Sequence, residues 1–430
     1  MYSLSAALDN LRVLLNDELP DAPGLRVFDL AVTLKAASDP LSWLCVQPLY
    51  PQFYWQHRDD NEEVAAIGAA CRFTALAEAR DFLQRQARPD LRIWGLNAFA
   101  QEQGQLFLPR LEWRRDAGRS ALRLTLYSAS SLRDDARSAL TLLDALRPER
   151  PLPALALDLT RERHLPERAG WQRLIEQATG AIADGALQKV VLARASDLSF
   201  TAPPGAGPLM AASRRRNLNC YHFMMAFGPQ QAFFGSSPER LWRREESLLW
   251  TEALAGTVAS HPDPRRAQGL ADWLMSDEKN QRENLLVVED ICQRLGDEVS
   301  ELEVAPPEVI RLRKVQHLRR KVQGRLRRPD DLLCLRQLQP TAAVAGLPRR
   351  AAREFIARHE PFEREWYAGS AGYLSLRGSE FCVALRSARL SDNVLRLYAG
   401  AGIIAGSDPQ QEWQEIENKA AGLRTLLFEQ

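Results

Sequence analysis

Five short runs in the second half of the chain alternate apolar and polar residues or stay apolar before ending in Gly, Ser or Pro. They are KVVLARA (189–195), YHFMMAF (221–227), QAFFGSS (231–237), EFCVALRSARL (380–390) and NVLRLYAGAGI (393–403). Period two with such ends predicts strands. Longer stretches between them follow the helical period. The clearest is DEKNQRENLLVVEDICQRLGDEV (277–299), with Leu285, Val288, Cys292 and Leu295 on one stripe. The N-terminal MYSLSAALDNLRVLLNDELPD reads as an amphipathic helix with acids inside its apolar pattern, not as a signal peptide. Many strands with few long helices and no strict βαβ alternation predict an α+β fold built on large, mostly antiparallel sheets covered by helices. A Pro- and charge-rich stretch, LRPERPLPALALDLTRERHLPER (146–168), marks either a domain border or a long connection.

Composition narrows the picture. The 430 residues suffice for two average domains or one large one, and 56 basic against 55 acidic residues argue against a global role on nucleic acid or membrane. No uncharged apolar stretch is long enough to span a bilayer. The six cysteines are scattered without a CxxC pair, which predicts reduced thiols in a cytoplasmic protein. One basic run, RLRKVQHLRRKVQGRLRR (311–328), raises a nucleic-acid alternative, but few aromatics interleave with it. The plainer reading is a basic strand pair with its loop.

Several side chains carry candidate chemistry. In SDPQQEWQEIENKA (407–420), Glu412, Glu415 and Lys419 share one helical face. Asn280 and Glu283 are likewise about one turn apart on the helix at 277–295. Two helices that each offer a carboxylate could hold a hard cation such as Mg2+, which needs few protein oxygens; the plain alternative is solvated carboxylates and an ordinary i,i+4 pair. Lys189 heads an apolar strand, where it either snorkels to water or, shut away, serves as a general base. Glu239 follows a Ser-Ser-Pro turn, as a salt-bridged turn residue or a general acid. On a continuous strand, Arg386 would share a small-residue face with Cys382 and Ala384, placed for a carboxylate or a salt bridge. Gly400 and Gly402 strip side chains from a strand end, so backbone N–H groups could approach an anion.

These motifs resemble the chorismate-utilising enzymes, the group of anthranilate synthase large subunits, aminodeoxychorismate, isochorismate and salicylate synthases. The resemblance runs in order through QKVVLAR, GSSPERL, EALAGT, DEKNQRENLLVVEDI, VQHL, LQPTAAVAGLP, WYAGSAGYLS, VALRSARL and YAGAGIIAGSDPQQEWQEIENKA, about residues 180–425. YPQFYWQHRDDNEEVAAIG and LRIWGLNAF extend it toward the isochorismate synthases of the menaquinone route.

The resemblance implies two stacked antiparallel sheets flanked by helices in one domain over 1–430. Residues 1–165 would add strands to the same sheets, and 170–425 would form the chorismate-binding core. It implies Glu283 and Glu415 as Mg2+ ligands and Glu412 as an outer ligand through water. Many relatives have glutamate where this chain has Asn280. It further implies Arg386 and Tyr367 on the enolpyruvyl carboxylate, and Lys419 with the Gly400 and Gly402 stretch at the ring carboxylate. His317, Thr341, Gly256 and Thr257 would line the ring. Anthranilate synthases have glutamine at position 189, and aminodeoxychorismate synthases have lysine at the position of Ala255. Lys189 with Ala255 is therefore the water-adding pattern, with Lys189 as base and Glu239 as acid. No glutamine amidotransferase partner and a monomer are expected. Salicylate synthase is the alternative within the family, and a non-catalytic anion- or nucleic-acid-binding protein the one outside it.

Overall fold

The computed structural model describes residues 2–33, 38–155 and 157–427. Every strand pairing in its sheets is antiparallel. One sheet runs, in spatial order, through Gly24–Ala31, Arg119–Ser128, Gly104–Asp116, Glu62–Phe73, Gln52–Gln56 and Tyr221–Gly228. It continues through Gln231–Ser237, Ser387–Ser391, Val394–Ile403, Lys189–Phe200 and Leu159–Leu165. A second sheet leaves the long strand Gly104–Asp116 through Ile93–Asn97, Ser370–Leu374, Gly378–Val383, Arg240–Glu245, Leu248–Ala259 and Val315–Leu326. The shared strand makes the hydrogen bonding continuous, so the two expected sheets are joined along one edge.

Aromatic side chains fill the space between the sheets. Phe53 and Trp55 of the first sheet meet Trp94 of the second, with ring centroids 5.5 and 6.1 Å apart. All three are fully buried, each side chain worth on the order of 2–3 kcal/mol in transfer terms. The opposite face of the first sheet, with Tyr54, Ile67, Met224 and Phe234, packs under the helices Leu4–Leu15, Pro40–Cys45, Leu132–Ala145 and Ala206–Arg216. The Pro-rich stretch contributes the strand Leu159–Leu165, and the N-terminal strands pair directly with later ones, Gln52–Gln56 on Tyr221–Gly228 and Ile93–Asn97 on Ser370–Leu374.

Two expectations are corrected. The run at 380–390 is two strands, Gly378–Val383 and Ser387–Ser391, and they lie in different sheets. The chain crosses at 384–386, where Arg386 has φ 48°. Arg386 therefore does not share a pleat with Cys382 and Ala384. The helix Glu278–Leu295 buries Asn284, Val287, Val288, Ile291 and Leu295, whereas Leu285 is 43% exposed. The polar Asn284 takes the inward position because its amide donates to the carbonyls of Ala253, Ala255 and Leu318 at 3.0–3.2 Å.

The basic run forms the strands Glu308–Arg311 and Val315–Leu326, and much of its charge is met locally. Arg319 and Lys321 both pair with Glu308, and Arg320 donates to Gln281 and Asn284. Among the described residues no helix is long and apolar enough to cross a membrane.

Candidate active site

A cleft of about 630 Å3, its open mouth included, lies where the chain crosses between the sheets. Two crossings run side by side. One is Pro238–Glu239, between Gln231–Ser237 and Arg240–Glu245; the other is 384–386. The strands Lys189–Phe200 and Val394–Ile403 form one wall, with Gly402 opposite Val191 and Gly400 opposite Ala193. Another wall is the strand Leu248–Ala259, whose register slips between Leu254 and Thr257. That bulge, with Gly256 at φ +87°, turns the Ala255–Thr257 backbone toward the cleft.

Lys189 does not snorkel. It is fully buried, and its Nζ donates to Glu283 at 2.9 Å. Gly402 makes room for this pair, since a Cβ there would lie 2.5 Å from Glu283 Oε1 and 3.0 Å from Lys189 Cε. Glu239 lines the cleft at 1% exposure, and its Oε1 has no hydrogen-bond partner among the described residues. Burial, and then the charge of Glu252, hold its carboxyl well above the usual carboxylate range against Lys189, Lys419 and Arg386. A carboxyl in that state carries a proton it can give.

Arg386 and His317 define each other's state. Arg386 Nη2 donates to His317 Nε2 at 2.7 Å. A guanidinium only donates, so His317 carries its proton on Nδ1, toward Thr257 Oγ1 at 3.1 Å and Gly256 O at 3.4 Å. Burial and the charges of Arg386 and Lys419 hold this histidine neutral, well below its ordinary range. Tyr367 lines the cleft and stacks on Tyr398 at 4.9 Å; burial raises its hydroxyl to about 12. Thr341 is buried but is not among the residues lining the cleft, although Ala343 and Val344 close by in the chain are.

Two helices bring up the carboxylates. Asp408 caps Pro409–Arg424 by accepting from the N–H groups of Gln410 and Gln411, with Pro409 in the first turn. Glu412, Glu415 and Lys419 follow on its inner face. Lys419 Nζ reaches Glu415 at 2.6 Å and Gly400 O at 3.0 Å. Asp277 caps the other helix, which presents Glu283. Burial would raise Glu283, but the charge and hydrogen bond of Lys189, then Lys419 and Lys279, bring it below its ordinary range. Glu412 is raised to about 7 by burial and by the charges of Glu415 and Glu283. Among the described residues no group of three His, Cys, Asp or Glu side chains is already arranged to hold a metal ion. The all-oxygen set and its mutual repulsion nevertheless fit Mg2+, which takes one or two carboxylates and completes its shell with water and substrate oxygens.

Asn280 is engaged within the protein rather than held free for a metal. Its Oδ1 accepts from Thr257 N at 2.9 Å and its Nδ2 donates to Asp277 at 2.7 Å, tying the helix start to the bulge. Sequence reasoning missed this contact and the Tyr398 stack, because both partners are far away in the chain.

A buried lysine, a carboxyl held above its usual range, an arginine–histidine pair and glutamates from two helices thus meet at one cleft. The chain belongs to the chorismate binding enzyme family, whose model matches residues 96–428. It is 63% identical to isochorismate synthase MenF of Escherichia coli over 99% of both chains, and 40% identical to that of Haemophilus influenzae over 91% of this chain and 90% of the relative. The solved structure of the menaquinone-specific isochorismate synthase of Escherichia coli superposes with a TM-score of 0.96 over 99% of both chains. Anthranilate synthase component I of Streptococcus pneumoniae shares the fold at 21% identity, with a TM-score of 0.67 over 98% of this chain and 97% of that one.

Proposed function

We infer that this chain is an isochorismate synthase, an isomerase that converts chorismate to isochorismate and feeds menaquinone formation. The observation that carries the reading is Lys189 shut away beside the cleft, opposite a Glu239 held protonated. The full-length likeness to the menaquinone-specific enzyme supports the route. In its neutral amine form, with one proton given up, Lys189 takes a proton from water, whose oxygen adds at ring C2. The ring double bond shifts, and Glu239 gives its proton to the C4 hydroxyl, which leaves as water. One water enters and one leaves, so the reaction is a net isomerisation.

Arg386 and Tyr367 bind the enolpyruvyl carboxylate. Lys419 and the backbone at Gly400 and Gly402 receive the ring carboxylate, while Gly256, Thr257 and the neutral His317 line the ring, and Thr341, buried outside the lining, does not touch it. Glu283 and Glu415 would hold Mg2+, with Glu412 acting through water. Bound there, the metal supplies charge stabilisation for the ring carboxylate. Lys189 with Ala255 favours water over ammonia, so no amidotransferase partner is needed, and the chain acts as a monomer. The six free thiols suit the cytoplasm.

The test is product identification after incubation with chorismate and Mg2+. Isochorismate alone is expected. Salicylate with pyruvate would replace the reading by salicylate synthase, and no turnover would end it.

A further inference from the structure

The peptide groups on both sides of Glu239 are held from behind by one ion pair. Arg58, from the turn after the strand Gln52–Gln56, donates from Nη1 to Pro238 O at 2.9 Å. The same guanidinium forks onto Glu252, at 2.5 Å to Oε1 and 2.9 Å to Oε2. Glu252 Oε1 also accepts the N–H of Arg240 at 2.7 Å. The carbonyl before Glu239 and the N–H after it thus converge on one pair, whose side chains are 7% and 1% exposed. Neither residue lines the cleft. A buried ion pair returns little net stability once desolvation is counted, so packing alone is a weak account of this one.

We propose that Arg58 and Glu252 are positioning residues for the reaction, a buried clamp that aims the Glu239 carboxyl into the cleft. The proposal rests on Glu239 being the acid. It gives the N-terminal region a part in the chemistry through Arg58.

Glu252 also acts through its charge. The groups with the largest charge effect on Glu239 are Glu252 from behind, itself faced by Arg58 and by Arg319 at 3.7 Å, and Lys189, Lys419 and Arg386, with Glu283 and the neutral His317 lining the cleft. Loss of the Glu252 charge leaves the three cations less opposed, so Glu239 would give up its proton at lower pH.

Two variants test the clamp by steady-state kinetics across pH. Glu252→Gln should lower kcat by about tenfold or more while the KM for chorismate stays within about threefold, the signature of a misaimed acid. Its alkaline limb of kcat/KM should also move to lower pH. Arg58→Lys keeps the charge but loses the fork, so kcat should fall with KM held and the alkaline limb near that of the wild type. It decides the matter by its kcat and KM if Glu252→Gln does not fold. Wild-type kcat in the folded variants, or a rise confined to KM, overturns the clamp. Glu239→Gln separates the two readings. If it is inactive while the clamp variants behave as wild type, only the clamp falls; if it turns over near the wild-type rate, the acid assignment falls and takes the clamp with it.

Discussion

Gly402→Ala adds one methyl group at the most crowded point of the cleft. Its Cβ would lie 2.5 Å from Glu283 Oε1, 3.0 Å from Lys189 Cε and 3.4 Å from Lys189 Nζ. Ordinary carbon–oxygen contact needs about 3.3 Å, so against the 2.5 Å available roughly 0.8 Å must be made up. The nearest atom is the free end of a side chain, not backbone. The fold can yield there, and the stability cost should sit at or below the low end of the roughly 1–3 kcal/mol typical of overpacking. The chemistry cannot yield as easily, because Glu283 and Lys189 are both displaced. A misplacement approaching 1 Å costs on the order of 100-fold in rate. The expected result is a kcat for isochorismate formation about 100-fold lower at saturating chorismate and Mg2+, with a thermal midpoint close to that of the wild type. Gly400→Ala is the contrast. Its Cβ meets Tyr367 Oη at 2.8 Å and Leu192 O at 3.2 Å, so it should act mainly on KM. A Gly402→Ala enzyme within threefold of wild-type kcat would refute the argument that this glycine exists to seat the pair.

Lys189→Ala should abolish turnover while chorismate still binds, and Lys189→Arg should fail as well, since a guanidinium is not a base; near-normal turnover by either variant, measured by product formation, would remove the lysine from the reaction. Because burial and the charge of Glu252 hold the Glu239 carboxyl well above the usual carboxylate range, its acid form persists to higher pH than that of an ordinary carboxylate and is lost as pH rises through that raised value. A pH profile of kcat/KM should therefore fall on the alkaline side, and a profile flat up to alkaline unfolding would contradict the assignment. Glu283→Gln and Glu415→Gln should each weaken Mg2+ activation strongly and Glu412→Gln less, read by Mg2+ titration of activity; Asn280→Ala should instead loosen the Thr257 turn and leave the Mg2+ titration close to wild type.

Spacing alone brought only a few of the cleft residues together, and Tyr367, His317, Gly256 and Thr257 came from the family resemblance. Glu412, Glu415 and Lys419 could be placed on one face because helical period needs no tertiary information, and Asp408–Pro409 marked where that helix begins. The glycines at 400 and 402 could be read as missing side chains, though not what fills the space. The single strand expected at 380–390 failed for a physical reason. Both halves alternate, and period two is blind to a chain that leaves one sheet for another. The left-handed residue at the crossing, Arg386, is set by the packing around it and carries no local signal. The helical stripe was misjudged because Asn284 looks like a surface residue until the carbonyls it serves, on distant strands, are known.

The two crossings described above are bonded to each other. Val383 N–H donates to Glu239 O at 3.0 Å, and Ser236 N–H donates to Arg386 O at 3.1 Å. Glu239 and the Arg386 guanidinium therefore ride on one stitched frame, and lengthening either link would drag its neighbour along. An insertion at either crossing would disturb both groups at once. Single side-chain exchanges on the cleft walls, at positions such as Ala255, would by contrast leave that frame in place.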